Sequence, residues 1–296
     1  MIPILVPIIV ALFMLTIASY YDLRAGEVPD KFSIGLGVIF LILSAIGAFN
    51  YGISFFSNTL LFGIIFFIIG YMIFLAGQWG GGDVKVLAGI GTALGYLNSL
   101  NYIWPNSRFF PYYFSPVITF FVDMAFVTIP YALIYTIILG IMKPAVFTEF
   151  SKNIKNRWVL FLILISFIPS LLFFYLGNSI LGFVDLLIPV FIVLSVYLKT
   201  VENVALSKTI LVNDLKEWDV VADDIVVDNK KIASKRNITG LTKEQIQLIQ
   251  KLVAENKIQN TIRIKWGIKF VPILMIAFLL TLYVGNLLEI VFIYLL

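Results

Sequence analysis

The chain has 296 residues, 60% of them hydrophobic and 13% charged, with no histidine and no cysteine. Soluble domains carry roughly a quarter charged residues, so this composition excludes an ordinary soluble fold and indicates a polytopic protein of the lipid bilayer. Absence of Cys and His excludes disulfides, thiolate or imidazole metal sites and the usual Ser-His or Cys-His nucleophiles, and no metal or cofactor is expected. The net charge of +4 is not laid out as a basic run interleaved with aromatics, so nucleic acid is excluded as a partner and the charge is assigned to membrane orientation.

In chain order, apolar windows close to the 17–25 residues that cross a bilayer occur near 2–20, 33–49, 54–77, 84–98, 116–142, 158–176, 180–198 and 268–296. The first holds Pro3 and Pro7 near its start, where a missing N–H does little harm, and ends at Tyr20-Tyr21 in the aromatic-belt position. It lacks the basic n-region of a signal peptide and is read as mature structure. The fold expected is an all-α polytopic membrane protein of about eight transmembrane helices, with a small α+β cytoplasmic insertion before the last helix. Its expected divisions are a membrane core over 1–98, further transmembrane helices over 99–198, the insertion over 199–267 and a C-terminal helix over 268–296.

Orientation follows from Lys and Arg. Arg24, Lys31, Lys85, Lys143, Lys152, Lys155, Arg157 and the polar stretch 199–269 put twenty of the twenty-one basic residues on one face, leaving only Arg108 on the other. That face is therefore cytoplasmic, and the protein is placed as a multi-pass protein of the cell membrane. Within the insertion, Asp224 to Ile232 reads as a strand pair turning at Asp228-Asn229. Thr242-Lys243-Glu244-Gln245 is a capping-box signature, with Ile246, Ile249, Leu252 and Val253 following at helical spacing.

Two acids stand at the edges of apolar windows. Asp22 ends the first, and Asp83 begins the fourth behind Gln78-Trp79-Gly80-Gly81-Gly82. An ionisable residue in such a place is a functional candidate. From Asp22 the chain runs out along 33–49 and back along 54–77, long enough to rise about 36 Å as a helix, so both carboxylates return to the cytoplasmic face. Two carboxylates that share a proton support aspartyl hydrolysis: the ionised one draws a proton from water and the protonated one polarises the scissile carbonyl. Such a pair titrates as a unit, so neither role is assigned to one residue. Gly80, Gly81 and Gly82 are expected to take up irregular backbone, letting an extended substrate approach closely and Asp83 turn towards its mate; the plainer reading is a helix break.

The other polar residues have blander readings. Asp123 and Asp185 lie near the opposite face and are expected to pair with local Ser, Thr or Tyr groups, with an ion-pathway role as the alternative. Glu289 faces a polar seam between helices, and Lys85 snorkels to the interface. Glu27 and Asp30 either attract a basic substrate segment or balance Arg24 and Lys31.

At these residues the chain resembles the GxGD aspartyl proteases, and within them the archaeal prepilin and preflagellin peptidases. Gly80-Gly81-Gly82-Asp83 fits the GxGD motif, and Asp22-Leu23-Arg24 with Val28-Pro29-Asp30 resembles the first catalytic stretch of that family. The likeness covers about residues 1–98. It implies Asp22 and Asp83 as catalytic residues and type IV pilin-like or flagellin precursors with basic leaders as partners, cut just before their hydrophobic helix. With no Cys-bearing insertion after the first span, a peptidase-only enzyme is implied. Presenilin and signal peptide peptidases share the Tyr21-Asp22 and GxGD pattern, but their acids lie on adjacent spans and a Pro-Ala-Leu triplet follows, which is missing here. The competing classes are an ion- or proton-coupled transporter lined by Asp22, Asp83, Asp123 and Asp185, and a non-catalytic anchor for a pilus assembly machine.

Overall fold

The computed structural model describes residues 4–77, 79–105, 115–227, 230–235, 237 and 239–295. Arg108, Gln78 and the expected turn at Asp228-Asn229 lie outside these. The chain forms two compact units, one of Met1–Ala132 with Ile268–Leu296 and one of Leu133–Gly267.

The helices are α1 (Leu5–Ala25), α2 (Asp30–Tyr51), α3 (Ile53–Leu75), α4 (Gly81–Ser99), α5 (Ser115–Met142), α6 (Ala145–Ile154), α7 (Arg157–Ser166), α8 (Ile168–Tyr175), α9 (Ser179–Asp185), α10 (Leu187–Val204), α11 (Lys243–Ala254), α12 (Val271–Tyr283) and α13 (Leu287–Leu295). Pro130 leaves a gap in the hydrogen-bond ladder of α5, and the division between the units falls just after it.

In the first unit the turns are set by residues that tolerate left-handed backbone. Gly26 takes φ 75° and closes α1 by donating its N–H to the Asp22 carbonyl, and Gly52 at φ 89° reverses the chain between α2 and α3. Helix α4 is the centre of this unit. Every residue from Gly89 to Asn98 is buried, against α3 and α2 above all and also against α1 and α12. Small residues make this possible. A Cβ on Gly91 would fall 2.7 Å from the Phe62 carbonyl oxygen and from Phe66 Cβ, and one on Gly95 would fall 2.7 Å from Phe62 Cβ. Between lipid-embedded helices there is no hydrophobic force to gain, so close backbone approach of this kind is what associates them.

Six helical stretches are long and apolar enough to cross a membrane: Leu5–Ala25, Asp30–Tyr51, Ile53–Leu75, Ser115–Met142, Arg157–Tyr175 and Leu181–Val204. The two remaining windows differ from expectation for different reasons. Helix α4 faces protein rather than lipid and is glycine-rich instead of strongly apolar. The window 268–296 is two helices, not one, broken at Val284–Asn286. Gly285 has φ 84° there, and its Cα packs so close to the Pro105 carbonyl that a side chain would collide with it.

Buried polar groups replace the hydrogen bonds lost at this break. Asn286 Oδ1 accepts the N–H groups of Leu288 at 3.0 Å and Glu289 at 3.3 Å, capping α13. Asp123, 0% exposed, accepts the Leu287 N–H at 3.0 Å and the Thr281 hydroxyl at 3.1 Å. Its partner is thus a threonine, as expected of its type, but one supplied by α12 rather than by its own helix. Glu289 is buried in the first turn of α13. Replacing Asp123 by Leu leaves the Leu287 N–H without its acceptor and is expected to cost about 2 kcal/mol, read as a lowered thermal midpoint of the purified protein in detergent.

The second unit holds the end of α5, helices α6 to α10 and the polar segment. Asn156 and Asn178 cap α7 and α9 through their side-chain oxygens. Asp185, at the end of α9, is half-buried. The polar segment is α+β, as its sequence indicates. Strand β1 (Ser207–Leu211) pairs antiparallel with β4 (Thr261–Lys265), and β2 (Ile225–Val227) with β3 (Lys230–Ala233). Thr242 Oγ1 accepts the Gln245 N–H at 3.3 Å while Gln245 Oε1 accepts that of Thr242 at 3.1 Å, completing the capping box of α11. Ile246, Ile249 and Val253 close the small core with Val212, Leu215, Val221, Leu241 and Ile264.

Candidate active site

Asp22 occupies the last turn of α1 and is 6% exposed. Its Oδ2 accepts the Val271 N–H at 3.0 Å, and the Phe270 N–H lies near enough to favour the charged carboxylate. These are leading N–H groups of α12, which have no partner within their own helix, so the acid caps α12 where the helix dipole favours negative charge. Pro272 follows at the start of the same helix, where its missing N–H is harmless.

Asp83 is the third residue of α4, and its Oδ2 reaches back to accept the Gly80 N–H at 3.0 Å. Its other oxygen, Oδ1, takes no hydrogen bond from the described residues. Asp22 lies within electrostatic range of Asp83, and Lys269 lies within range of both. Two acids from separate helices therefore lie within range of one another, each steadied by a backbone donor. The ring of Trp79, next to Gly80, packs on that of Phe270 with centroids 4.6 Å apart, which joins the chain approaching Asp83 to the donors of Asp22.

The glycines before Asp83 behave differently from expectation. Gly80 has φ −83° and ψ 160°, α4 begins at Gly81, and the left-handed residue of this turn is Gly77 at φ 70°. The backbone of Gly80 to Gly82 is thus regular. What the missing side chains provide is bare surface beside the acid. A Cβ on Gly81 would meet nothing within 4 Å, and one on Gly82 only the Val28 nitrogen at 4.0 Å.

Around the rim, Asp30 pairs with Lys85 at 2.6 Å. The cation beside Asp30 is thus Lys85 rather than Arg24 or Lys31. Arg24 donates to the Tyr20 hydroxyl at 2.8 Å, and Lys31 lies over the Phe32 ring, 5.0 Å from its centroid. Glu27 is exposed. With side chains 41% and 68% exposed, the Lys85–Asp30 pair is solvent-screened; Lys85→Ala is expected to change stability by less than about 1 kcal/mol, measured as the shift in thermal midpoint.

The segment Lys269-Phe270-Val271 is the part of the site to which the sequence reading gave no role beside the acids. Its one signal is a lone lysine immediately before an apolar run opened by Pro272. No group of three or more acidic side chains that could hold a metal ion occurs among the described residues.

Against this geometry, the model of the type IV leader peptidase family matches residues 9–144, a stretch that contains both acids and the glycine run. Over that stretch the chain is similar to the type IV leader peptidase family. Among relatives, a preflagellin peptidase of Methanococcus maripaludis is 36% identical over 46% of this chain and 60% of its own length. The prepilin peptidase EppA of Methanothermobacter thermautotrophicus is 23% identical over 97% of this chain and 96% of its own. That of Methanocaldococcus jannaschii is 23% identical over 93% and 95%. The chain thus spans less than two thirds of the preflagellin peptidase but nearly the whole of the two prepilin peptidases. No solved structure matches. Lys269 to Val271 lies outside the family match, so the family model covers the acids but not the donors of Asp22.

Proposed function

We propose that this protein is a membrane aspartic endopeptidase of the type IV leader peptidase family that removes the short basic leader from type IV pilin-like precursors, prepilins or preflagellins, at the cytoplasmic membrane face. The observation that carries this reading is the convergence of Asp22 and Asp83 from two spans, each held by backbone N–H groups through its carboxyl group, beside glycine backbone that no side chain covers. The family match over residues 9–144 and the names of the relatives support the substrate class. The bias of Lys and Arg to one face supports the orientation.

In the reaction the substrate strand lies along Gly80 to Gly82, bringing its scissile carbonyl to the carboxylates. The ionised member of the pair takes a proton from a water whose oxygen attacks the carbonyl carbon, while the protonated member donates a hydrogen bond to the carbonyl oxygen. The tetrahedral intermediate then collapses as the amide nitrogen takes a proton from the pair and the C–N bond breaks. The backbone donors on Asp22 and Asp83 fix which oxygen of each acid is committed to structure. The transporter reading is less well supported, because Asp123 has both oxygens engaged by Leu287 and Thr281 rather than lining an open path.

The test is co-expression of the full chain with tagged type IV pilin-like precursors bearing a basic leader, followed by mass determination of the product N-terminus. Cleavage at one bond before the hydrophobic helix is the expected result. Intact precursor in the presence of folded enzyme, across several precursors, overturns the reading.

A further inference from the structure

Lys269 is 7% exposed, and among the described residues no other lysine or arginine is buried. An ammonium is almost never buried without an anion to face. Lysines at a membrane boundary ordinarily extend their stems and keep the charge in water. Lys269 instead lies within electrostatic range of both Asp22 and Asp83.

Its neighbours address the same two acids. Val271 donates its backbone N–H to Asp22, and the Phe270 N–H lies near the same carboxylate. The Phe270 ring packs on Trp79, which precedes the Gly80 N–H that holds Asp83. Three consecutive residues thus converge on the pair by side chain, backbone and ring packing.

We propose that Lys269 is a positioning residue of this site, a buried counter-charge that holds the Asp22 and Asp83 carboxylates close together; the inference rests on reading those two acids as the hydrolytic pair. Two carboxylates brought together at reduced polarity repel each other strongly. A cation in range of both offsets that repulsion without contributing an atom to the reaction. Phe270, pinned by Trp79, keeps the lysine from swinging out to solvent.

The test uses the full chain purified in detergent, with a tagged type IV pilin-like precursor as substrate and Lys269→Met, Lys269→Arg, Asp22→Asn and Asp83→Asn variants. Lys269→Met is expected to lower kcat by about 100-fold while KM changes by less than about 3-fold, and Lys269→Arg is expected to recover kcat to within about 10-fold of wild type. A second readout does not depend on activity. Thermal midpoints should show Lys269→Met to be strongly destabilising in the wild-type background and much less so in the Asp83→Asn background, where the repulsion it offsets has been removed.

Wild-type kcat in Lys269→Met, or equal destabilisation in both backgrounds, overturns the proposal. If Lys269→Met does not fold, the midpoint of Lys269→Met/Asp83→Asn decides: recovery of a folded protein supports the coupling, and failure to recover it overturns it. The two readings can fail separately. Cleavage surviving in Asp22→Asn or Asp83→Asn removes the hydrolytic pair and this inference with it, whereas inactive aspartate variants beside a fully active Lys269→Met remove only the role of Lys269.

Discussion

Asp22→Asn and Asp83→Asn are each expected to lower leader cleavage by about 10,000-fold while the variant enzymes remain folded and still bind precursor. Both substitutions spare structure for the same reason. Asparagine retains a side-chain oxygen, so the Val271 N–H on residue 22 and the Gly80 N–H on residue 83 keep their acceptors. What the proposed mechanism loses is the exchangeable proton that the pair would share. Because the two acids act as a unit, the double variant is expected to be no slower than either single one. Cleavage rates by mass spectrometry, set beside thermal midpoints and crosslinking of precursor, check this. Cleavage within about 10-fold of wild type in either variant would remove that acid from the mechanism.

Gly81→Val and Gly91→Val, ten positions apart on the same helix, have opposite expected outcomes. At Gly91 the new Cβ lands 2.7 Å from the Phe62 carbonyl oxygen and Phe66 Cβ, so α3 must move away from α4. Overpacking of this kind costs about 1–3 kcal/mol or more, and the yield of folded protein in detergent is expected to fall sharply. At Gly81 the Cβ meets nothing within 4 Å, and the thermal midpoint is expected to stay near that of wild type. Cleavage there falls by about 100-fold, because the side chain fills the space in which the scissile bond must approach Asp83. A Gly81→Val enzyme with normal turnover would place the substrate elsewhere. Size-exclusion yield and thermal midpoint separate the two variants from each other, and the cleavage rate separates the second from wild type.

Six of the eight apolar windows and the two acids at window edges could be read from the chain, because hydropathy and charge act locally and a membrane permits few arrangements. The hairpin of two spans between Asp22 and Asp83 followed from length alone. The capping box at Thr242 and Gln245 and the strands on either side of residues 228–229 were legible for the same reason, since each is decided within a few residues.

Contacts between distant parts of the chain were not legible. The central burial of α4, the break between α12 and α13 and the pairing of Asp123 with Leu287 and Thr281 depend on which helix faces which. Asp30 meets Lys85 rather than Arg24 or Lys31 for the same reason. Sequence by itself determined the membrane class and singled out the two carboxylates as candidates, because those rest on composition and periodicity. Only the tertiary structure placed Lys269, Phe270 and Val271 against Asp22 and Asp83, because a backbone N–H or an ordinary lysine carries no mark in the sequence of the partner it will meet.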